Sequence, residues 1–241
     1  MEVIDTGLIR SDLGLRREIK YAFPESDMVD ELRHLLSASC KRVIYNRPVS
    51  EVRSIYFDDW QKRLLYANIN GIGNRKKIRI RWYDQKHPSK DFYFEIKWRK
   101  SYITGKHRFQ IKSPEDLGRI PYKEIVKKLL NILPNDHLGM FSLHSEPIVI
   151  VEYKREHFIS PDEILRLTLD YDLMFYDQYG KKYPNLRFGI PKNNFVVIEG
   201  KGDPKVINNL KKLLYPFKPR ATRCSKYAHG CNAIMICSEY F

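Results

Sequence analysis

The chain is poor in the features that most quickly assign a protein to a class. It has four cysteines in 241 residues, Cys40, Cys224, Cys231 and Cys237; their spacings fit no zinc template, and no His pair stands beside them at helical metal spacing. They read as ordinary reduced thiols. No apolar run approaches the ~18 residues of a membrane span, and the opening MEVIDTGLIR carries acidic residues and lacks the apolar core of a signal peptide. The expectation is a cytoplasmic protein. No Pro/Gly/Ser linker, repeat or low-complexity tract divides the sequence, so a single domain over 1–241 is expected. There is no Gly-x-x-x-x-Gly-Lys loop and no Ser/His/Asp or Cys/His arrangement to supply a nucleophile. Gly71-Ile-Gly73 reads as a turn, and Lys181-Lys182 and Lys211-Lys212 as solvated charge.

Carboxylates are also in short supply. Against 43 Lys and Arg stand 29 Asp and Glu, a net charge of +14. This predicts an anionic partner without naming it: nucleic acid, anionic lipid and phosphate compounds all qualify.

What the chain does have is alternation. Arg16/Glu18/Lys20, Lys77/Arg79/Arg81, Glu95/Lys97/Arg99, Arg166/Thr168/Asp170 and Glu199/Lys201 place charged or polar residues on every second position. In a strand, successive side chains point to opposite faces, so Ile78, Ile80, Phe94, Ile96, Leu167 and Ile198 share the other face. About eight strands are expected, near 16–22, 52–57, 76–83, 91–99, 103–111, 147–156, 164–171 and 194–201. Helical stripes lie between them. Ser26 or Asp27 can cap a helix carrying Met28, Val29, Leu32, Leu35 and Leu36; a second runs from about 121 to 133 with Ile125, Leu129, Leu130 and Leu133. A third follows Pro204 with Val206, Ile207, Leu210, Leu213 and Leu214. The C-terminal stretch around Cys231, Met235 and Cys237 is apolar enough for a strand or short helix. The fold class expected is α+β: a closed eight-stranded antiparallel β-barrel with packing helices outside.

A barrel whose interior gathers Lys20, Arg79, Arg81, Lys97, Arg108, Arg155, Arg166 and Lys201 needs an occupant. Two like charges 4 Å apart repel by about 4 kcal/mol at an effective dielectric of 20. Linked phosphoryl groups offer several negative charges in a narrow rod, and guanidinium and ammonium groups both match their oxygens. Glu199 beside Lys201 reads either as a cross-strand ion pair or as a ligand for Mg²⁺ or Mn²⁺, which take one or two carboxylates and complete their shells with water and phosphate. RNA-binding sheets put aromatics on the basic face. Here Trp82, Phe92, Phe94 and Trp98 fall on the opposite one, so nucleic acid is not expected.

Nine pieces in order over about 16–227 carry a family resemblance. They are Glu18-Ile-Lys20-Tyr21, Ser54-Ile-Tyr-Phe-Asp58, Arg79-Ile-Arg81, Phe94-Glu95-Ile-Lys97, Lys106-His-Arg108-Phe109, Tyr153-Lys-Arg155, Arg166-Leu-Thr168-Leu-Asp170, Glu199-Gly-Lys201 and Ser225-Lys226-Tyr227. Together they resemble the polyphosphate polymerase domain of the vacuolar transporter chaperone (VTC) proteins, within the triphosphate tunnel metalloenzymes. The resemblance implies a tunnel that binds ATP, passes its γ-phosphoryl group to a growing polyphosphate chain and releases ADP. It implies a catalytic set of Lys20, Arg79, Arg81, Lys97, Arg155, Arg166, Glu199 and Lys201. Lys106, Arg108, Tyr153, Ser225 and Lys226 would bind phosphate, and Glu199, with Glu18 and Glu95 as further candidates, would bind Mn²⁺ or Mg²⁺. Eukaryotic relatives add an SPX domain and a membrane region; neither is expected here, so any membrane partner would act in trans. The wider superfamily opens with Glu-x-Glu-x-Lys, whereas this chain has Arg16 in the first position. Fewer carboxylates favour the polymerase branch over a triphosphatase using the same tunnel, or over a non-catalytic polyphosphate-binding module.

Overall fold

The computed structural model describes residues 1–6, 17–24, 28–87, 91–101 and 103–238, with 3–6, 17, 204–206 and 238 as backbone only. Arg16, Ser26 and Asp27 lie outside the described residues, as does the side chain of Val206.

All eight expected strands are present: β2 (Arg17–Phe23), β4 (Ser50–Asp58), β5 (Asn74–Tyr83), β6 (Asp91–Lys100), β7 (Ile103–Lys112), β8 (Glu146–Ile159), β9 (Arg166–Asp177) and β11 (Val196–Gly202). Three short strands join them: β1 (Glu2–Thr6), β3 (Lys41–Val43) and β10 (Ile190–Lys192). Every pairing is antiparallel, in the order β1-β7-β6-β5-β4-β8-β9-β11-β2, with β3 and β10 appended to β8 and β9.

The expected closed barrel is not formed. The sheet is open, curled into a half-barrel whose path ends at β1 and β2. One reason is that β1 occupies the free edge of β7. Another is that a trough open to water screens its cations better than a sealed lumen would. The curl still brings distant strands together: Glu18 on β2 meets Lys97 on β6 at 3.0 Å across the trough. Register shifts between Tyr56 and Phe57 and between Glu152 and Lys154 add local bends of the kind that curl a sheet.

The convex face carries the apolar half of each strand. Ile55, Phe57, Ile78, Ile80, Trp82, Phe92, Phe94 and Ile96 are buried there with α3 (Tyr122–Leu130) and α4 (Asn135–Leu143), through Ile125, Leu129 and Phe141. Farther round, Tyr21, Leu167, Leu169 and Ile198 are covered by Leu32 and Leu36 of α1 (Met28–Ser39) and Leu210 of α5 (Pro204–Leu213). Each fully buried apolar side chain contributes about 2 kcal/mol to holding the curve.

Two helices sit elsewhere. α2 (Arg63–Ile69) follows β4, and α6 (Lys226–Ser238) enters the concave side, where Tyr227 and Cys231 pack with Val52, Tyr56, Val149, Val151, Tyr153 and Phe175. The segment expected as a strand or short helix is therefore α6. It fills one end of the trough and leaves the other to charged residues. No helix among the described residues is long and apolar enough to cross a membrane.

Candidate functional site

The alternation puts the charges of β5 and β6 in register on the concave face: Lys77 opposite Lys97, Arg79 opposite Glu95. Glu95 is almost fully buried and is gripped from three sides. Arg79 Nε donates to it at 2.7 Å, Lys106 Nζ at 3.1 Å, and Arg108 lies at 3.5 Å. Burial alone would raise the Glu95 pKa, but Arg79, Arg81 and Lys106 hold it well below the usual carboxylate range. Arg79 also donates to the Tyr56 hydroxyl at 3.0 Å. Among the described residues Arg81 has only neutral acceptors, Ser54 Oγ and Tyr153 Oη, each at 3.1 Å. Its guanidinium is thus fixed, buried and without a counter-charge of its own.

A second group forms on β8, β9 and α6. Arg155 holds Asp170 by two parallel hydrogen bonds of 2.6 and 2.7 Å, and Lys226 donates to the same carboxylate at 2.6 Å. Burial works against the Asp170 charge, yet Arg155 and Lys226 bring its pKa to about 2. Tyr153 lies beneath both cations, with Lys226 Nζ 4.6 Å and Arg155 5.2 Å from its ring centre.

The third group joins β2 and β11, where Glu199 pairs with Lys20 and Lys201 with Glu18 in the register. Lys201 Nζ lies 2.5 Å and Lys20 Nζ 3.4 Å from Glu199, and Lys20 also meets Glu18 at 3.1 Å. Burial and Glu199 push Glu18 up, but Lys97, Lys20 and Lys201 hold it at about 2. Glu199 is likewise kept well below its ordinary value: burial opposes its charge, and Lys201, Lys20 and Arg155 overcome it. Both carboxylates are hard-oxygen donors of the kind that holds a divalent cation, which would have to displace the ammonium groups of Lys20 and Lys201 from them.

A second donor set lies at the root of α2. Asp58, Asp59 and His144 bring three ligand atoms within 4.8 Å of one another, a grouping that could hold a divalent cation. These oxygens already have partners. Asp58 accepts from the amides of Asp59, Leu64 and Leu65 and from the Tyr227 hydroxyl, and Asp59 from Arg63. A cation there would have to displace the groups that start α2 and anchor α6.

Of the sequence-selected residues, all but one come together in the trough. Arg166 is exposed at its rim, opposite Lys201 in the register. Ser225 Oγ stands at the start of α6 and receives a 2.8 Å hydrogen bond from Lys77. Lys77, Ser54 and Tyr56 also belong to the site, although the sequence alone assigned them no role, and Asp170 joins them as a carboxylate offsetting the cations. Their signal was the period-two spacing they share with their neighbours. Among the described residues ten cations thus line the trough against four carboxylates. Two buried polar atoms there, Arg108 Nε and Thr168 Oγ1, have no hydrogen-bond partner among the described residues.

A half-barrel of antiparallel strands around a basic trough, with carboxylates held among the cations at one side, is a site built to take a polyanion. The sequence matches the VTC domain family over residues 15–235, and the chain belongs to that family. A solved structure of HpAC1 from Hippeastrum, described by its dominant triphosphatase activity, is similar at 16% identity. The match covers 88% of this chain and 92% of that one, with a TM-score of 0.46. No curated protein matches the sequence.

Proposed function

We propose that the protein is a polyphosphate polymerase, moving the γ-phosphoryl group of ATP onto the terminal phosphate of a growing chain held in the trough. One observation carries the choice of acceptor. All four trough carboxylates are engaged by cations: Glu18 by Lys20 and Lys97, Glu95 by Arg79, Lys106 and Arg108, Asp170 by Arg155 and Lys226, Glu199 by Lys20 and Lys201. None is free to take a proton from water. A terminal phosphate is already ionised and needs no base.

In this reading Arg79, Arg81 and Arg155 orient the triphosphate, with Lys20, Lys97, Lys106 and Lys201 around it. Arg81, held by neutral groups alone, is the guanidinium most available to phosphate oxygens. The fixed cations stabilise charge on the equatorial and leaving oxygens as the transferring group departs. Tyr153, Ser225, Lys226 and Arg108 hold the acceptor chain, and Arg166 meets anions at the rim. Glu199, with Glu18 beside it, would hold a divalent cation, which when bound neutralises phosphate charge and orients the transferring group.

The test is purified protein with ATP and Mn²⁺, followed by separate assays for ADP, orthophosphate and polymer on a gel. ADP with polymer supports the proposal. ADP with orthophosphate and no polymer makes the protein a triphosphatase, and no ADP at all makes it a binding module.

A further inference from the structure

The basic stripe continues beyond the last carboxylate of the trough. Two positions before Lys77 on β5 stands Arg75, and two after Lys97 on β6 stands Arg99. These arginines face each other in the register, one step outward from the Lys77 and Lys97 pair. Strand rise puts that step about 7 Å along the trough. A third guanidinium arrives from the segment preceding α6. Arg223 lies so close to the turn at Gly71 that a Cβ on that glycine would be 2.8 Å from its Nη1.

Two of them are held by backbone carbonyls, and the third lies against a turn. Arg75 Nη1 donates to the Ile72 carbonyl at 2.7 Å, Arg99 Nε to the Ser101 carbonyl at 2.8 Å, and Arg223 rests on the Gly71 backbone. Among the described residues none has a carboxylate partner within 4 Å, a condition they share with Arg81 and Lys77 and not with the other cations of the trough. Like charges directly opposite on neighbouring strands are destabilising. Burial, then Arg99 and Arg223, lower the Arg75 pKa below the ordinary arginine value. Backbone anchoring holds Arg75 and Arg99 in place despite the repulsion and leaves their other donors to grip anionic oxygens, with Arg223 beside them.

We propose that Arg75, Arg99 and Arg223 form a separate anion subsite at this mouth, which takes the outer phosphates of a linear polyphosphate whose inner end lies in the trough. The proposal rests on the polymerase reading and adds a place for the chain beyond the three phosphates that the trough surrounds. The ligand class follows from the geometry: a continuous stripe of cations in one strand register suits a linear, uniformly charged chain.

The experiment measures binding of inorganic tripolyphosphate and of long-chain polyphosphate at fixed ionic strength, without nucleotide or metal. Arg99→Gln is expected to weaken the long chain about tenfold while changing tripolyphosphate by less than about twofold. Relief of like-charge repulsion should leave its melting temperature no lower than the parent's. If Arg99→Gln nevertheless fails to fold, Arg223→Gln, exposed and outside the sheet, is the variant that decides, with the same expected pattern. Equal losses for both ligands, or no loss for either, overturn the subsite. A parent protein that binds neither ligand overturns the polymerase reading with it. A parent that binds both, with the long chain insensitive to the variants, overturns the subsite alone.

Discussion

Lys77 donates a 2.8 Å hydrogen bond to Ser225 Oγ and so ties the middle of β5 to the start of α6. Burial, then Lys20, Lys97 and Arg79, bring the Lys77 pKa down to about 7. An anion laid beside it favours the charged form, so binding takes up a proton above that pH. Tripolyphosphate affinity should fall as pH rises from about 7 to about 9, by up to about tenfold per unit, and Lys77→Met should flatten that portion. Calorimetry in buffers of different ionisation enthalpy reads the proton uptake directly; a parent that takes up none contradicts the prediction. For the ligand-free protein the depressed pKa is a stability penalty, fully present below about 7 and relieved as pH rises toward the ordinary lysine value.

Glu199→Gln removes one charge with little change in shape. Turnover of ATP should drop by about 100-fold or more, whereas metal-free tripolyphosphate binding should not weaken, because the trough becomes more positive. Mn²⁺ binding followed by paramagnetic resonance should be lost in this variant and retained in His144→Ala. The reverse pattern would move the cation to Asp58, Asp59 and His144.

Asp170→Asn leaves Arg155 and Lys226 buried without their shared counter-charge. The expected cost is about 3 kcal/mol, a fall of roughly 6–12 °C in melting temperature for a chain of this size. In the parent, the pKa of about 2 lies below the ordinary 3.8. The Asp170 contribution is therefore complete above about pH 4 and lost as pH falls through 2. Acid titration of parent and variant should converge at the bottom of that range.

Gly105 lies opposite Trp98 in the register of β6 and β7, and a Cβ there would come within 2.3 Å of the indole. Gly105→Ala should displace the ring and cost about 1–3 kcal/mol. Urea unfolding gives the loss, and a shift in tryptophan emission reports the displacement.

The sheet was legible because a strand with one face on helices and the other in a charged trough must alternate, as Lys77-Ile78-Arg79-Ile80-Arg81 does. The short strands were not: Lys41–Val43 and Ile190–Lys192 are three residues each, too short to show an alternation, and none of their residues is buried. α6 was ambiguous because small and apolar residues surround it, Ala228, Gly230, Cys231, Ala233 and Ile234, and a helix inserted into the concave side needs no single apolar stripe. Closure was overestimated because alternation reports which face a side chain takes. Whether two edge strands exchange backbone hydrogen bonds is written in no side chain. Within the site, Arg79, Arg81, Glu95, Arg155 and Glu199 were readable from spacing and family motifs. The pairing of Lys77 with Ser225 was not, since nothing local links positions 148 residues apart.

That separation has a consequence for assembly. Lys20 Nζ reaches the carbonyl of Cys224 across 204 residues of sequence, and Ser225 and Lys226 enter the trough only when α6 docks. Contacts so distant carry the largest loop-closure entropy and form late. The sheet can be complete while the phosphate grip is not. A chain clipped ahead of Ser225 would lose these groups together with the packing of Tyr227 and Cys231 on the concave side, so docking of α6 completes that core and the phosphate grip in one step.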